Sequence, residues 1–359
     1  MNMNLVSKLT KKVKDGLQNV LNGTAQAKSS AEPELDPGQQ IANIVKPLIE
    51  NNELHKYIPY WASQGFHVAV DILQIKRLPY SNAALDDLKR RFLPSIFIVG
   101  AAKAATGTIY EYLNYLPDVC MSDPKEPYFF EYEYALGLQH FRDTYFKHWM
   151  GERITGEARH RNLYLPYVAE RIHEFNPDAK IIISLRNPVD RAYSHWWHRY
   201  SRDLETLDFR EAIMIDYDRI QRNRDLDVKA IQEAYYASAE VTNGRGPYRT
   251  YLDSGYYYEQ IQRYKQFFPD NQIKIVFFSD LKKDTYSFIK SIEQFIGFDY
   301  YTDDNFPTFH RSKALESEKK QPPMDPEVRQ WLVDHYRDHN AKLSQIIDRD
   351  LSDWDKVNG

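Results

Sequence analysis

The sequence predicts an α/β fold, with a central, mostly parallel sheet flanked by helices and an N-terminal helical extension before it. From residue 93 onward, short apolar runs alternate with longer amphipathic stretches, which is typical of parallel βα units. The 359 residues are 42% hydrophobic and 14% aromatic, so the chain can form a sizeable core. We therefore expect an ordered protein with one large α/β domain over residues 93–359 and an appendage before it.

Charge and cysteine content exclude several classes of protein. The net charge of -4 and the pI near 6.3 give no general basic surface, so we expect no nucleic-acid partner. The single cysteine, Cys120, cannot form an intrachain disulfide, and no Cys/His spacing resembles a zinc site. We expect no metal. The N-terminus has no uninterrupted apolar stretch of a signal peptide, and nowhere do 18 apolar residues run together. A soluble, cytoplasmic protein is predicted.

The first 92 residues divide into three parts. Residues 1–22 predict an amphipathic helical arm, because one half of the helical wheel carries Leu5, Leu9, Val13, Leu17, Val20 and Leu21. This apolar face, residues 5–21, could contact the protein itself, a second subunit or an anionic membrane surface, and the oligomeric state stays open. Residues 23–40 have the Gly, Ser, Pro and Gln content of a linker, and residues 41–92 predict a helical extension without a readable function.

The first βα unit has the features of a phosphate-binding loop. The apolar strand 96–99 stops at Gly100, and a loop of small residues leads to the start of a helix. Backbone N–H groups, the helix N-terminus, a lysine and hydroxyl groups would together hold an anion, and the residues involved are Lys103, Ala104, Ala105, Thr106, Gly107 and Thr108. The alternative is an ordinary turn with a solvated lysine. The order of residues does not match GxxxxGK[ST], so the loop is not a Walker A loop and a nucleotide kinase is disfavoured.

The second βα unit predicts another anion site. The buried strand 181–183 leads to Arg186, and Asn187 and Pro188 are typical of the N-cap and first residue of a helix. A helix over 189–200 would carry on one face the polar side chains Arg191, Ser194 and His198. An arginine and a hydroxyl at a strand end suit a second phosphate, although Arg186 and Arg191 could instead pair with Asp190 or Glu170.

Four stretches carry a resemblance to a known family. They read FIVGAAKAATGTIYEYL, PKEPYFF, KIIISLRNPVDRAYSHWWH and YLDSGYYYEQIQRYKQFFPDNQIKIVFFSDL. Over about residues 93–354 the chain resembles the PAPS-dependent sulfotransferases, and it is similar to their heparan-sulfate-like and bacterial branch. These enzymes transfer a sulfuryl group from 3'-phosphoadenosine 5'-phosphosulfate (PAPS) and release adenosine 3',5'-bisphosphate (PAP). The resemblance implies their nucleotide-kinase-like fold, PAPS as co-substrate and no metal.

The resemblance also implies roles for individual residues. Lys103 matches the lysine that contacts the 5'-phosphosulfate, and Thr106 matches a hydroxyl of the same loop. Arg186 and Ser194 match contacts to the 3'-phosphate. Glu126 matches the carboxylate used as general base, and His198 matches a histidine near the acceptor, so either could be the base. The remaining donor-binding residues implied are Ala104, Ala105, Gly107, Thr108, Tyr257, Arg311 and Lys313.

The chain departs from the family pattern at three places. Ala105 and Gly107 stand where the family has a glycine and a second hydroxyl residue. Tyr128 replaces a common histidine, and the stretch that usually reads GEKSP here ends in Arg159 and His160. The first departure concerns the donor, and the other two concern the acceptor.

These patterns predict sulfuryl transfer to a hydroxyl or nitrogen of a small molecule, such as a bacterial natural product or a saccharide. Glu126 could instead form only an ion pair with Lys125, and His198 could be a packed histidine. The competing functions are a kinase, in which Asp280 after the third apolar run would hold magnesium, and a non-catalytic adaptor. Tyrosines and tryptophans near the donor elements could stack on an acceptor, although a role in the core is favoured.

Overall fold

A computed structural model describes residues 92–116, 118–241, 249–298 and 320–357. The predicted arm, linker and helical extension therefore lie outside the described residues, apart from Phe92. The chain divides into two compact units, and the larger one, Leu93–Trp149 with Ile154–Gly359, contains all the elements below. The domain limits drawn from the sequence stay a prediction.

Five strands form one parallel sheet, which confirms the predicted fold class. The strands are β1 (Ile96–Gly100), β2 (Val119–Met121), β3 (Ile154–Ala158), β4 (Lys180–Leu185) and β5 (Ile273–Phe277), and their order is β2-β3-β1-β4-β5. All four strand pairs are parallel. β1 and β3 are buried along their whole length because helices cover both faces of the sheet.

Helices connect and cover the strands. They are α1 (Thr106–Tyr115), α2 (Gly137–Tyr145), α3 (Arg161–Tyr164), α4 (Val168–Phe175), α5 (Pro188–Tyr200), α6 (Phe209–Arg222), α7 (Val228–Val241), α8 (Tyr257–Lys265), α9 (Phe278–Lys283), α10 (Thr285–Ile296) and α11 (Pro326–Ile347). A π-helical turn spans Phe129–Glu133, and short 3₁₀ turns span Tyr134–Leu136, Asp253–Gly255, Asp270–Gln272 and Ser352–Asp355.

Helix starts follow the predicted caps. The Asn187 side chain accepts a hydrogen bond from the Val189 amide, with Pro188 as the first residue of α5. Asp325 likewise accepts from the Glu327 amide at the start of α11. The end of β5 differs from the prediction. The apolar run predicted as one strand becomes helical at Phe278. The run is apolar in either conformation, so its composition could not place the boundary.

The strand order brings the two predicted phosphate loops together. β1 lies at the centre of the sheet and pairs directly with β4, with Gly100 opposite Ile183. The Ala101 amide donates to the Ser184 carbonyl at 2.7 Å, so the loop that follows β1 starts against the end of β4. Ligands of parallel α/β sheets bind at this carboxyl edge.

Candidate active site

The loop after β1, residues 101–105, has an unusual backbone. Lys103 and Ala105 adopt left-handed conformations with φ of 67° and 69°. Such conformations cost energy in residues other than glycine and persist where surrounding contacts impose them, often at functional sites. One such contact is the Ser184 hydroxyl, which donates to the Ala104 carbonyl at 2.5 Å. The loop is thus held in one shape by β4, with its lysine at the apex.

Gly100 is required where this loop begins. A Cβ at this position would lie 2.6 Å from Cβ of Leu163 and 3.2 Å from the His160 carbonyl oxygen. No side chain fits there without a backbone shift. The chain segment after β3 therefore lies directly against the start of the loop after β1, and it brings His160 to the same edge of the sheet.

Lys103 contacts the predicted acceptor histidine. Its Nζ lies 3.1 Å from Nδ1 of His198, and Arg202 Nη1 lies 2.9 Å from the same nitrogen. Burial, followed by the charges of Lys103 and Arg202, lowers the pKa of His198 to about 3. His198 is therefore neutral, and its Nδ1 accepts hydrogen bonds. The two residues predicted to act at the reacting centre meet in the structure.

Arg186 reaches the same loop from β4. Its Nη1 donates to the Lys103 carbonyl at 3.3 Å, and its guanidinium lies 4.9 Å from the ring centre of Phe278. Asp190, which was considered as its partner, instead pairs with Arg329 at 2.8 Å. The Tyr257 hydroxyl donates to the Arg186 carbonyl at 2.9 Å. Tyr257 is 1% exposed, so its side chain is not accessible to a ligand in this structure. Its hydrogen bond stabilises the backbone at the end of β4.

The polar face predicted for α5 needs one correction. Ser194 and His198 are partly exposed, but Arg191 is fully buried and donates to the Tyr251 carbonyl. Residues three apart on a helix differ in direction by about 60°, which is enough to turn Arg191 into the core. Arg191 therefore holds the segment before α8, and Ser194 and His198 remain on the side of the site.

The other residues predicted to bind the donor differ in their exposure. Thr106 is buried at the first turn of α1, whereas Gly107 and Thr108 are partly exposed. A Cβ on Gly107 would meet only Cε of Lys125, at 4.0 Å. Arg311 and Lys313, predicted to cover the donor, lie outside the described residues.

Glu126 contacts two cationic side chains and a histidine. Its Oε2 is 2.8 Å from Nδ1 of His160 and 3.6 Å from Nη1 of Arg159, and Oε1 contacts the Lys125 ammonium. Burial acts to raise the pKa of Glu126, but His160, Lys125 and Arg159 together hold it well below its usual range. The predicted ion pair with Lys125 is present, and it is one of several interactions of this carboxylate.

His160 and Glu131 are site residues whose contacts the sequence did not reveal. Buried Glu131 pairs with Arg159 and accepts from the Tyr235 hydroxyl at 2.5 Å, so α7 is attached to the cluster around Glu126. Arg161 Nη1 also donates to this hydroxyl at 2.9 Å. The sequence offered one signal for His160, the departure from GEKSP at Arg159 and His160. This departure marked the position of His160 but did not indicate that Glu126 is its partner.

The structure also answers two alternatives raised by the sequence. Asp280 forms a bidentate ion pair with Arg349, with distances of 2.6 and 2.8 Å, so both of its oxygens are engaged and nothing favours a magnesium role. The favoured core role of the aromatic residues holds for several of them: Trp196, Tyr235, Tyr251 and Tyr257 are at most 3% exposed. Among the described residues, no helix is long and apolar enough to span a membrane, and no group of three or more His, Cys, Asp or Glu could hold a metal ion.

Comparisons with known proteins point in one direction. A family model described as "Sulfotransferase domain" matches residues 93–339. The chain is 25% identical over 283 residues to the bifunctional heparan sulfate N-deacetylase/N-sulfotransferase 1 of Xenopus laevis, covering 71% of this chain and 30% of that protein. It is 26% identical to the heparan sulfate glucosamine 3-O-sulfotransferase 3A1 of Mus musculus, covering 77% of this chain and 68% of the relative.

A solved structure agrees with these relatives. The crystal structure of a sulfotransferase from Alicyclobacillus acidocaldarius is 29% identical, with a TM-score of 0.56, and the match covers 74% of this chain and all of that one. By contrast, the chain spans only about 30% of the length of the bifunctional relatives it matches.

Proposed function

This chain belongs to the sulfotransferase family, as its motifs predicted, and from that premise we propose that it transfers a sulfuryl group from PAPS to a hydroxyl or nitrogen of a small-molecule acceptor. One observation carries the proposal: Arg186 at the end of β4 donates to the carbonyl of Lys103 in the loop after β1, at 3.3 Å. The two anion-binding elements are therefore adjacent, as a nucleotide with separate 3' and 5' phosphate groups requires.

The donor is held by the two strand ends in this proposal. The N-terminus of α1, Lys103 and the hydroxyls of Thr106 and Thr108 bind the 5'-phosphosulfate. Arg186 and Ser194 bind the 3'-phosphate, with Tyr257 supporting Arg186 through its carbonyl. Arg311 and Lys313 stay predicted as a cover over the donor.

The chemistry needs charge stabilisation and a proton acceptor. The acceptor oxygen or nitrogen attacks sulfur, the bond from sulfur to the bridging oxygen breaks, and PAP leaves with the electron pair. Lys103 and the amides at the start of α1 stabilise the charge that develops on the leaving phosphate. The proton of the acceptor goes to a group of the site, for which Glu126 and His198 were the predicted candidates.

The acceptor is proposed as a bacterial natural product or a saccharide. Two of the relatives are named for heparan sulfate, which supports a saccharide. Lys125 contacts Glu126 and Arg202 contacts His198, the two candidate bases, and these cationic side chains would favour an acceptor with negative charge nearby. A cytoplasmic location, based on the single cysteine and the N-terminal sequence, stays a prediction.

Calorimetric titration with PAP in EDTA tests the donor site. We expect the wild-type protein to bind PAP, and Arg186→Ala to bind it about 10- to 100-fold more weakly, because a charge-assisted contact is lost. Arg337→Ala is the control, since this arginine is half-exposed on α11 and pairs only with Asp334 among the ion pairs described. Equal affinity of wild type and Arg186→Ala would contradict the assigned 3'-phosphate site. Binding of ATP with magnesium in preference to PAP would favour the kinase alternative.

A further inference from the structure

Resting on the proposed sulfuryl transfer, we propose that His160 takes the proton of the acceptor and that Glu126 is a positioning residue which orients the His160 ring. The sequence placed Glu126 and His198 in this role. The contacts of Glu126, His198 and His160 assign the role of proton acceptor instead to the His160 imidazole, which is hydrogen-bonded to Glu126.

Glu126 is poorly suited to accept a proton itself. Its Oε2 accepts from the His160 ring at 2.8 Å and from the His160 backbone amide at 3.2 Å, and Oε1 contacts Lys125. Arg159 lies 3.6 Å from Oε2. A carboxylate held by two cations, a ring N–H and an amide is stabilised in its charged form, and protonating it would break these interactions. The same contacts make it a rigid acceptor for the ring.

His160 has the complementary properties. A ring that donates from Nδ1 to a carboxylate carries its proton on that nitrogen, so Nε2 keeps a lone pair. The side chain is 29% exposed, so a small molecule can reach it. Burial, together with Arg159 and Arg161, lowers the pKa of His160 although Glu126 opposes this, and the ring is therefore neutral at pH 7. This arrangement of carboxylate, imidazole and substrate hydroxyl is the one that activates the hydroxyl in Ser-His-Asp enzymes.

The position of this pair is also suitable. The carbonyl oxygen of His160 lies 3.2 Å from where a Cβ of Gly100 would be, at the start of the donor loop. Cε of Lys125, next to Glu126, lies 4.0 Å from the corresponding point at Gly107, in the first turn of α1. The backbone of His160 therefore lies at one end of the loop of Lys103, and Lys125, the neighbour of Glu126, lies at the other end. Glu126 also has a left-handed backbone, with φ of 68°, which its contacts hold in place.

His198 is less suited to the role. Its Nδ1 is already occupied by Lys103 and Arg202, at 3.1 and 2.9 Å, and after burial the charges of these two residues are the largest causes of its low pKa. An imidazolium formed there would face two cations without compensation. At His160 the carboxylate of Glu126 stabilises the imidazolium as it forms.

Proton transfer to His160 accompanies sulfuryl transfer in the proposed step. The acceptor oxygen forms a bond to sulfur while its proton moves to Nε2 of His160. The bond between sulfur and the bridging oxygen breaks, and PAP takes the electron pair. The imidazolium, paired with Glu126, then returns its proton to water.

The test compares His160→Gln, His160→Ala and Glu126→Gln with the control His173→Gln, a histidine on α4 that packs against Phe268. Calorimetry with PAP reports on the donor site. Turnover is the total consumption of [35S]PAPS with 4-nitrophenol and glucosamine as probe acceptors, with sulfate released to water included. Nitrogen-15 NMR of histidine-labelled protein reports which ring nitrogen of His160 carries the proton.

We expect all four variants to bind PAP within about threefold of wild type. His160→Gln and His160→Ala should lose about 10²- to 10⁴-fold in turnover, and added imidazole should restore part of the rate of His160→Ala only. A structural role would not respond to imidazole. In Glu126→Gln the proton on Nδ1 of His160 should no longer be fixed, and turnover should fall less than in His160→Ala.

The outcomes separate this inference from the proposed function. If wild type does not bind PAP, the proposed function fails. If PAP binds and His160→Gln turns over PAPS like wild type, or if Nε2 of His160 carries the proton, the proposed function stands and the role of His160 is overturned. PAP binding without any consumption of PAPS by wild type would also overturn it, because a base beside the donor should serve water or either probe.

Discussion

Nζ of Lys103 lies 3.1 Å from Nδ1 of His198, although 95 residues separate them in the chain. The contact exists because β1 and β4 are neighbours, so the loop after β1 meets the helix after β4. A lysine that donates to a neutral imidazole is held in a defined direction while it keeps its charge. The lysine predicted to act at the reacting centre is thereby oriented by a residue of α5, which follows the second predicted anion-binding strand end.

This contact predicts a change in His198 when Lys103 is removed. Burial is the largest cause of the low pKa of His198, which is about 3, and the charge of Lys103 is the next. In Lys103→Ala the pKa of His198 should therefore rise toward the ordinary value without reaching it, and turnover of PAPS should be lost. Proton NMR titration measures the first effect. Lys229→Ala, on an exposed side chain of α7, is the control, and an unchanged His198 titration in Lys103→Ala would refute the contact.

The left-handed backbone of Ala105 predicts a stabilising substitution. Its φ of 69° costs energy in alanine and almost none in glycine, so Ala105→Gly should raise the free energy of unfolding by about 0.5–1 kcal/mol. Denaturant unfolding measures this. Ala104→Gly is the matched control and should destabilise, since Ala104 is fully buried and has no positive φ. Destabilisation of both variants alike would mean that the loop does not adopt this conformation.

A serine at position 107 should raise the affinity for PAP. A Cβ there would have only an ordinary contact, with Cε of Lys125 at 4.0 Å, so a side chain fits. Gly107→Ser would restore the hydroxyl that the family has at this position, and we expect PAP to bind about 3- to 10-fold more tightly, as one further hydrogen bond allows. Gly107→Ala separates this effect from the gain in helix propensity. If alanine improves PAP binding as much as serine does, the hydroxyl is not responsible.

Glu293, outside the candidate site, should make the stability of the folded protein depend on pH. It is 2% exposed on α10, and its Oε1 has no hydrogen-bond partner among the described residues. Burial raises its pKa from 4.5 to about 7, with Lys290 acting in the opposite direction. The unfolded chain loses this proton near pH 4.5, whereas the folded protein keeps it up to about pH 7. The contribution of Glu293 to the free energy of unfolding is therefore fully present below pH 4.5 and is lost as the pH rises through 7.

Removing this charge should therefore stabilise the protein at high pH only. We expect Glu293→Gln to gain about 1–3 kcal/mol at pH 8 and almost nothing at pH 4.5, measured by denaturant unfolding at both values. Glu233→Gln, an exposed residue on α7, should show no such dependence. An equal effect of Glu293→Gln at both pH values would show that the carboxyl group does not titrate as described.

The sequence predicted the fold through local patterns. The apolar runs marked β1 and β4, and Asn187 marked a helix start, because capping depends on residues that are close in the chain. It could not orient Arg191, which has the spacing of a ligand-facing residue but lies in the core beneath Tyr251. The direction of a side chain on a helix depends on what packs against each face, and that is a property of the tertiary structure.

The sequence by itself determined the family and the sheet, and it predicted the residues of the two anion-binding loops. Each of these depends on short segments whose residue types restrict the backbone or the chemistry directly. Only the tertiary structure joined Glu126 to His160, 34 residues later, and Lys103 to His198. The first pair forms because β2 lies beside β3, and the second forms because β1 lies beside β4. A hydrogen bond between distant residues requires a strand order that places them within about 3 Å.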